Sequence, residues 1–165
     1  MKNKTLGILL IILVALTAGF FLQKYFGRAS SSIESFSELK IKFDPQSVNA
    51  IQVFKQAFPD SGIYFAKKDT GWVVANEFNA PAKNADVSKF IAELDTVTGS
   101  IRAETPDLYP DFDITDEKAL QIKLLDSSGS ILAHLYIGKG GQSGKDCFVR
   151  IAGDTKVYLA DNNFI

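Results

Sequence analysis

Residues 137–151, IGKGGQSGKDCFVRI, hold the densest run of chemistry-bearing types: glycines at 138, 140, 141 and 144, with Lys139 after the first and Lys145 after the last. Glycine-rich loops carrying a lysine can cradle phosphate through backbone N–H groups. A P-loop needs G-x-x-x-x-G-K-[ST] between a strand and a helix, so that the helix N-terminus faces the anion. Here Gly144-Lys145 would require a glycine where Lys139 stands, and the hydroxyl that should follow the lysine is replaced by Asp146. Cys147, Val149 and Ile151 then alternate as a strand, which removes the helix. The stretch reads as a flexible hairpin loop. Lys139, Gly140, Gly141 and Lys145 are the candidate partner-contact residues on it, with a minor anion contact through Lys139 or Lys145.

The remaining reactive types are isolated. His134 is the single histidine, so no two-histidine metal site can form, and no Ser or Cys motif accompanies it. Cys147 alternates with Val149 and Ile151 and reads as a small buried hydrophobe, a setting in which thiols are inert. In residues 106–117, PDLYPDFDITDE, Asp111, Asp113 and Thr115 imitate the first ligands of a calcium loop. The glycine that loop requires at its sixth position is Asp116, and its twelfth position is Ile122 instead of glutamate. A solvated turn before a strand is the reading for this stretch. Trp72 begins a strand beside two valines and reads as core. No catalytic, cofactor-binding or metal-binding residue is assigned, and a non-enzymatic role follows.

The whole chain has 165 residues, a net charge of −1 and one cysteine. That balance offers no domain-wide positive field for nucleic acid. A lone cysteine excludes an internal disulfide and leaves the redox compartment open.

Residues 5–22, TLGILLIILVALTAGFFL, carry no charge. As a helix this run would be roughly 27 Å long, close to the hydrocarbon thickness of a bilayer. Lys24, Tyr25, Phe26 and Arg28 follow at interface depth. A cleavable signal peptide is the competing reading. The apolar run exceeds the usual h-region, however, and the best cleavage site, Gly27-Arg28-Ala29, contains an arginine. No cysteine follows for lipidation. The expectation is an anchor over residues 1–28 with a short cytoplasmic tail, a linker over 29–38, and an extracytoplasmic domain over 39–165. The bilayer is then one partner of the chain.

The domain's periodicity changes twice. Phe43-Asp44-Pro45 forces an extended entry. Residues 50–55, 62–69 and 72–74 read as a three-strand meander with a turn at Asp69-Thr70-Gly71. Val87, Phe90, Ile91, Leu94 and Val97 then fall on one face of a helix over 85–97. Asn84 is placed to cap it, Asp86 suits its first turn and Gly99 suits its stop. From Leu120 the period returns to two, and four strands joined by short turns follow to Leu159. The fold class expected is α+β: a transmembrane helix, then three strands, one amphipathic helix laid on a sheet face, and four strands.

The order of these landmarks resembles the bacterial family catalogued as domain of unknown function 4340. FDPQSVNAI at 43–51 is similar to its entry motif. GWVV at 71–74, Pro81-Ala82, and the helix opening at Ala85-Asp86 and ending in ELDTV resemble its central block. Ile137-Gly138, FVR at 148–150, Gly153 and VYLAD at 157–161 resemble its C-terminal signature. Pro110-Asp111-Phe112 stands where the family commonly has Tyr-Gly-Leu. The resemblance implies an anchored extracytoplasmic domain associated with ABC-type transport systems of the gliding-motility kind, and it supplies no catalytic residues. Two functions are expected from this stage. One is an accessory subunit that binds components of a membrane complex, ABC transporter components among them, through an edge strand or the glycine loop. The other is a tethered ligand sensor with an apolar pocket near Trp72 or His134.

Overall fold

The computed structural model describes residues 39–164. The expected anchor and linker, with Lys24, Tyr25, Phe26 and Arg28, lie outside the described residues. Among the described residues no helix is long and apolar enough to cross a membrane.

Nine strands form a single sheet: β1 (Ala50–Lys55), β2 (Phe58–Lys68), β3 (Gly71–Val74), β4 (Ala80–Pro81), β5 (Gly99–Ala103), β6 (Leu120–Leu125), β7 (Ile131–Gly140), β8 (Cys147–Ile151) and β9 (Val157–Ala160). Their order is β4-β3-β2-β1-β6-β7-β8-β9-β5, with every pairing antiparallel. The two expected meanders are therefore halves of one sheet, zipped where β1 runs against β6 from Ala50↔Leu125 to Lys55↔Leu120. The one α-helix among the described residues, α1 (Asn84–Thr96), connects one edge strand, β4, to the other, β5.

That connection bends the sheet. A helix of 13 residues is about 20 Å long. Its first residue bonds to β3, and Thr98, just past its end, bonds to Asp161 at the close of β9. Laid flat, those two strands would lie about 29 Å apart at the usual spacing of about 4.8 Å. The sheet instead curls around the helix. Val87, Ile91, Leu94 and Val97 share one apolar cluster with Ile51, Ile122, Leu135, Val149 and Ala160, which come from five different strands. Burying each such side chain contributes roughly 1.5–3 kcal/mol.

The convex face has its own cover. Residues 104–119, including a 3-10 helix at Pro106–Phe112, fold across it and bury Ile114 and Ala119 against Tyr136 and Val157. This segment was expected to be a solvated turn. Its alternation is broken by two prolines, so its apolar residues show no period of their own.

Three local expectations are corrected and one is refined. Asn84 does not cap α1 but is its first residue; the cap position is Lys83, without a side-chain cap bond. The Asn84 Oδ1 instead accepts the Trp72 backbone N–H at 2.7 Å, tying the helix start to β3. Gly99 does not merely stop the helix. It opens β5, and a Cβ there would stand 2.7 Å from the Leu159 carbonyl oxygen. The entry at 43–45 is extended only as far as Asp44 (φ −95°, ψ 114°), which then caps a 3-10 turn, Pro45–Ser47, accepting from the Gln46 N–H and the Ser47 hydroxyl. Finally, β4 and β5 add two strands to the seven expected.

The β3–β4 turn is strained. Phe78 and Asn79 both have positive φ, 52° and 54°, and the Ala80 N–H donates to the Glu77 carbonyl at 2.9 Å. This is the type I′ arrangement that favours Asn and Gly. A left-handed residue with a bulky side chain costs roughly 1–2 kcal/mol, and the Phe78 ring, fully exposed, recovers nothing by packing. Phe78→Asn should therefore stabilise the domain by about 1 kcal/mol in urea denaturation; a destabilised variant would show that the ring packs on something. In β7, a methyl group on Gly138 would overlap the Phe112 carbonyl oxygen. Gly138→Ala should cost roughly 1–3 kcal/mol and raise amide exchange over residues 106–116 before that of the sheet.

Candidate functional site

The concave face is not filled by the helix. Between the first half of α1 and strands β1, β2, β3 and β6 lies an open groove of about 490 Å³. Its floor is made by alternate residues of neighbouring strands: Ile51 and Val53 from β1, Ile63 and Phe65 from β2, and Leu120 and Ile122 from β6. Register puts them side by side, with Val53 opposite both Ile63 and Ile122. The helix supplies Val87 and Phe90 as the opposing wall, and Ala82 leaves the entrance wide. Phe164 closes one side, its ring edge-on to Phe90 at 6.2 Å. The charged residues of the lining are Lys83 and Asp86, both exposed and 3.9 Å apart. Ile63 remains 48% exposed, so part of the apolar floor faces water. Such a site can hold an apolar group by desolvation. Its lining contains no nucleophile–base pair.

A second cavity, about 620 Å³, shares Leu120 with the first. It is bounded by Lys55, Phe58, Ile137, Gly138 and Lys139, and on its outer side by Asp113, Glu117 and Lys118.

The residues singled out from sequence are dispersed around this groove. Lys139 and Gly140 end β7, and Gly141 and Lys145 sit in the turn to β8. The turn closes through the Gly141 N–H on the Asp146 carbonyl at 2.9 Å, and a strand follows it. Of the four, Lys139 lines the second cavity. Cys147 is fully buried; its thiol donates to the Asn162 carbonyl at 3.3 Å, and burial pushes its pKa up. Trp72 is core, 6% exposed. Among the described residues no group of three His, Cys, Asp or Glu could hold a metal ion. Neither Trp72 nor His134 lines the groove, although Ala82 in its wall donates its backbone N–H to the Trp72 carbonyl at 2.9 Å.

His134 belongs to a polar seam on the convex face. Its Nε2 lies 2.9 Å from Gln121 Oε1, and its ring stacks on Tyr136 at 4.6 Å. Gln121 in turn donates to the Asp116 carbonyl at 2.8 Å. The neighbouring Arg150 is 8% exposed, and its guanidinium lies 3.7 Å from the Tyr136 ring and 4.7 Å from the Tyr109 ring. It also donates to Asp116 at 2.6 Å. Cation–π contacts to two rings and a charge-assisted bond together pin residues 104–119 to the sheet. In the sequence Arg150 stands within FVR, the third residue of that stretch. Nothing in the alternation marks an arginine at a buried strand position.

A family model described as Domain of unknown function (DUF4340) matches residues 72–165, more than half of the chain. The first resembling motif, at 43–51, falls outside that match. No curated protein and no solved structure matches the chain.

Two outcomes follow from the convex seam. Burial, then Lys123 and Arg150, lower the His134 pKa from 6.5 to about 4. The folded state therefore resists a proton that the unfolded chain accepts. Stability is full above pH 6.5 and falls as pH drops from 6.5 towards 4. His134→Gln should flatten that limb of a urea-midpoint profile, leaving the loss below pH 4 to carboxylates; an unchanged limb would remove His134 as its cause. Arg150→Lys keeps the charge but loses the planar stack and the fork. It should cost about 2 kcal/mol and accelerate proteolysis within residues 104–119 at native conditions.

Proposed function

The chain belongs to the Domain of unknown function (DUF4340) family, and from that premise we propose that it is a non-enzymatic, membrane-tethered binding domain. The groove between α1 and the concave sheet holds an apolar group of a ligand or partner. The observation that carries this reading is the groove itself, about 490 Å³ of aliphatic and aromatic wall, open to solvent, in a domain whose helix is seated on the sheet through Ile91, Leu94 and Val97. A site of that size and lining suits a small apolar molecule or the apolar portion of a larger one.

Tethering draws its support from the 18 uncharged residues at 5–22 and their aromatic and basic flank. In this reading the N-terminus stays in the cytoplasm and the domain works on the extracytoplasmic side. The second reading, an accessory subunit of a membrane complex such as an ABC-type transport system, draws on the fully exposed Phe78 at the tip of the β3–β4 turn, held there against backbone strain. The sheet's edges favour it less. The β4 edge is two residues long and ends in proline, and the Leu39 N–H already occupies the Gly99 carbonyl of β5.

Binding is tested with a neutral environment-sensitive dye, N-phenyl-1-naphthylamine, on the full-length chain in nanodiscs, corrected against empty discs. One saturable site is expected. Ala82→Phe, which fills the entrance, should weaken it about tenfold, or about 1.4 kcal/mol, with no loss of stability in the unfolding transition. Dye uptake indifferent to Ala82→Phe would defeat the groove reading. Tethering is tested separately: the chain should stay in the membrane fraction after alkaline extraction, and a mature form lacking its first thirty or so residues would overturn it.

A further inference from the structure

We propose that the groove takes a single-chain anionic lipid, its acyl chain under α1 and its head group at Lys55 and Lys139. This rests on the binding reading above and adds the chemical class of the ligand.

The two cavities are neighbours, with Leu120 in the wall of both. Along β1 the side chains on the concave face are Ile51, Val53 and then Lys55; the first two line the apolar cavity and the third lines its neighbour. Register sets Lys55 opposite Leu120, and Leu120 opposite Ile137, two residues before Lys139. The floor therefore changes from apolar to cationic along the strand direction, within one side-chain repeat. Of the other charges lining the second cavity, Lys118 and Asp113 pair with each other at 3.1 Å. Glu117 is the remaining carboxylate. Among the described residues Lys55 and Lys139 make no ion pair. The lining carries one net positive charge, which an anionic head neutralises at short range.

An acyl chain suits the apolar part better than a peptide does. The floor and walls there are side chains, with Lys83 and Asp86 as the charged groups, both at the rim. An extended peptide buried along them would leave backbone N–H and C=O groups unpaired, at a cost of roughly 1–3 kcal/mol each. A hydrocarbon chain has no such groups, and each buried methylene contributes about 0.8 kcal/mol.

The test uses the full-length chain in phosphatidylcholine nanodiscs and a matched pair of photoreactive probes, a diazirine-bearing long-chain fatty acid and the corresponding alcohol. Labelling of groove peptides is read by mass spectrometry and normalised to labelling of the scaffold protein. The acid should label the β1, β2 and α1 peptides about tenfold more than the alcohol. Lys55→Glu with Lys139→Glu, both exposed positions, should remove that preference while the alcohol still labels. Ala82→Phe should abolish labelling by both. Equal labelling by acid and alcohol would overturn the anionic head and leave the groove reading standing. Absence of groove labelling by either probe would overturn both. Displacement of the acid by an apolar peptide, but not by unlabelled fatty acid, would assign the groove to a protein segment and defeat the lipid.

Discussion

The structure depends on one mismatch: a helix of 13 residues must cover the concave side of a nine-stranded sheet. The helix carries a single apolar stripe, and its two ends are tied to opposite halves of the sheet, at Trp72 and at Asp161. The sheet satisfies that stripe by curling. Leu94 is fully buried and Val87, Ile91 and Val97 are nearly so, against Ile51, Ile122, Leu124, Leu135 and Val149 of four strands and Ala160 of a fifth. Curling brings the far strands to the helix, but it does not lengthen the helix. Beside its first half, β1, β2 and β3 present apolar side chains that nothing wide enough covers. The groove is what remains of that shortfall.

The convex side solves the opposite problem by other means. It has no helix of useful length, only residues 104–119 with a 3-10 helix that supplies few backbone hydrogen bonds of its own. Ile114 and Ala119 bury some apolar area, and the rest is polar: Arg150 between two tyrosine rings and on Asp116, and Gln121 bridging His134 to the Asp116 carbonyl. A buried guanidinium is costly unless its partners are fixed. Here Tyr136 and Arg150 sit opposite each other in the β7–β8 ladder, so the sheet itself sets the stack. This seam orders a segment that its own propensities would leave loose.

Strand and helix identity were legible in the sequence wherever a period was sustained. The helix was expected over 85–97 and runs from Asn84 to Thr96, and the four closing strands follow their alternation. The strands missed are those without a period. Ala80-Pro81 is too short to show one, and in Gly99–Ala103 a glycine stands where β9 approaches most closely. The joining of the two meanders through β1 and β6 was not legible either, because it pairs segments about seventy residues apart with no turn to announce it. The groove was hidden for a related reason. Ile63 and Phe65 alternate onto one strand face, Val87 and Phe90 share the apolar helix face, and all four line the groove. A pattern tells which face a residue joins, and not whether the opposing face reaches it. The loop that looked most chemical, by contrast, is a hairpin turn whose glycines serve backbone geometry, with Gly144 at φ 71°.

An unfilled groove needs a physical reason, since exposed apolar wall is a standing cost. Replacing Ala82, Val53 or Val74 by a larger residue would fill much of the space, and cavity-filling substitutions are among the commonest routes to added stability. The neighbouring positions show that this chain does pack tightly where nothing else is asked of it. A methyl group has no room at Gly138, and Cys147, Val149 and Leu135 are sealed completely. Small residues at the entrance beside large ones in the floor are the pattern of a site that keeps room for something else. The same logic applies to Phe78, where a bulky ring occupies a backbone position that asparagine or glycine would hold at lower cost. Each forgoes stability at a surface position, as the proposed contact with another molecule requires.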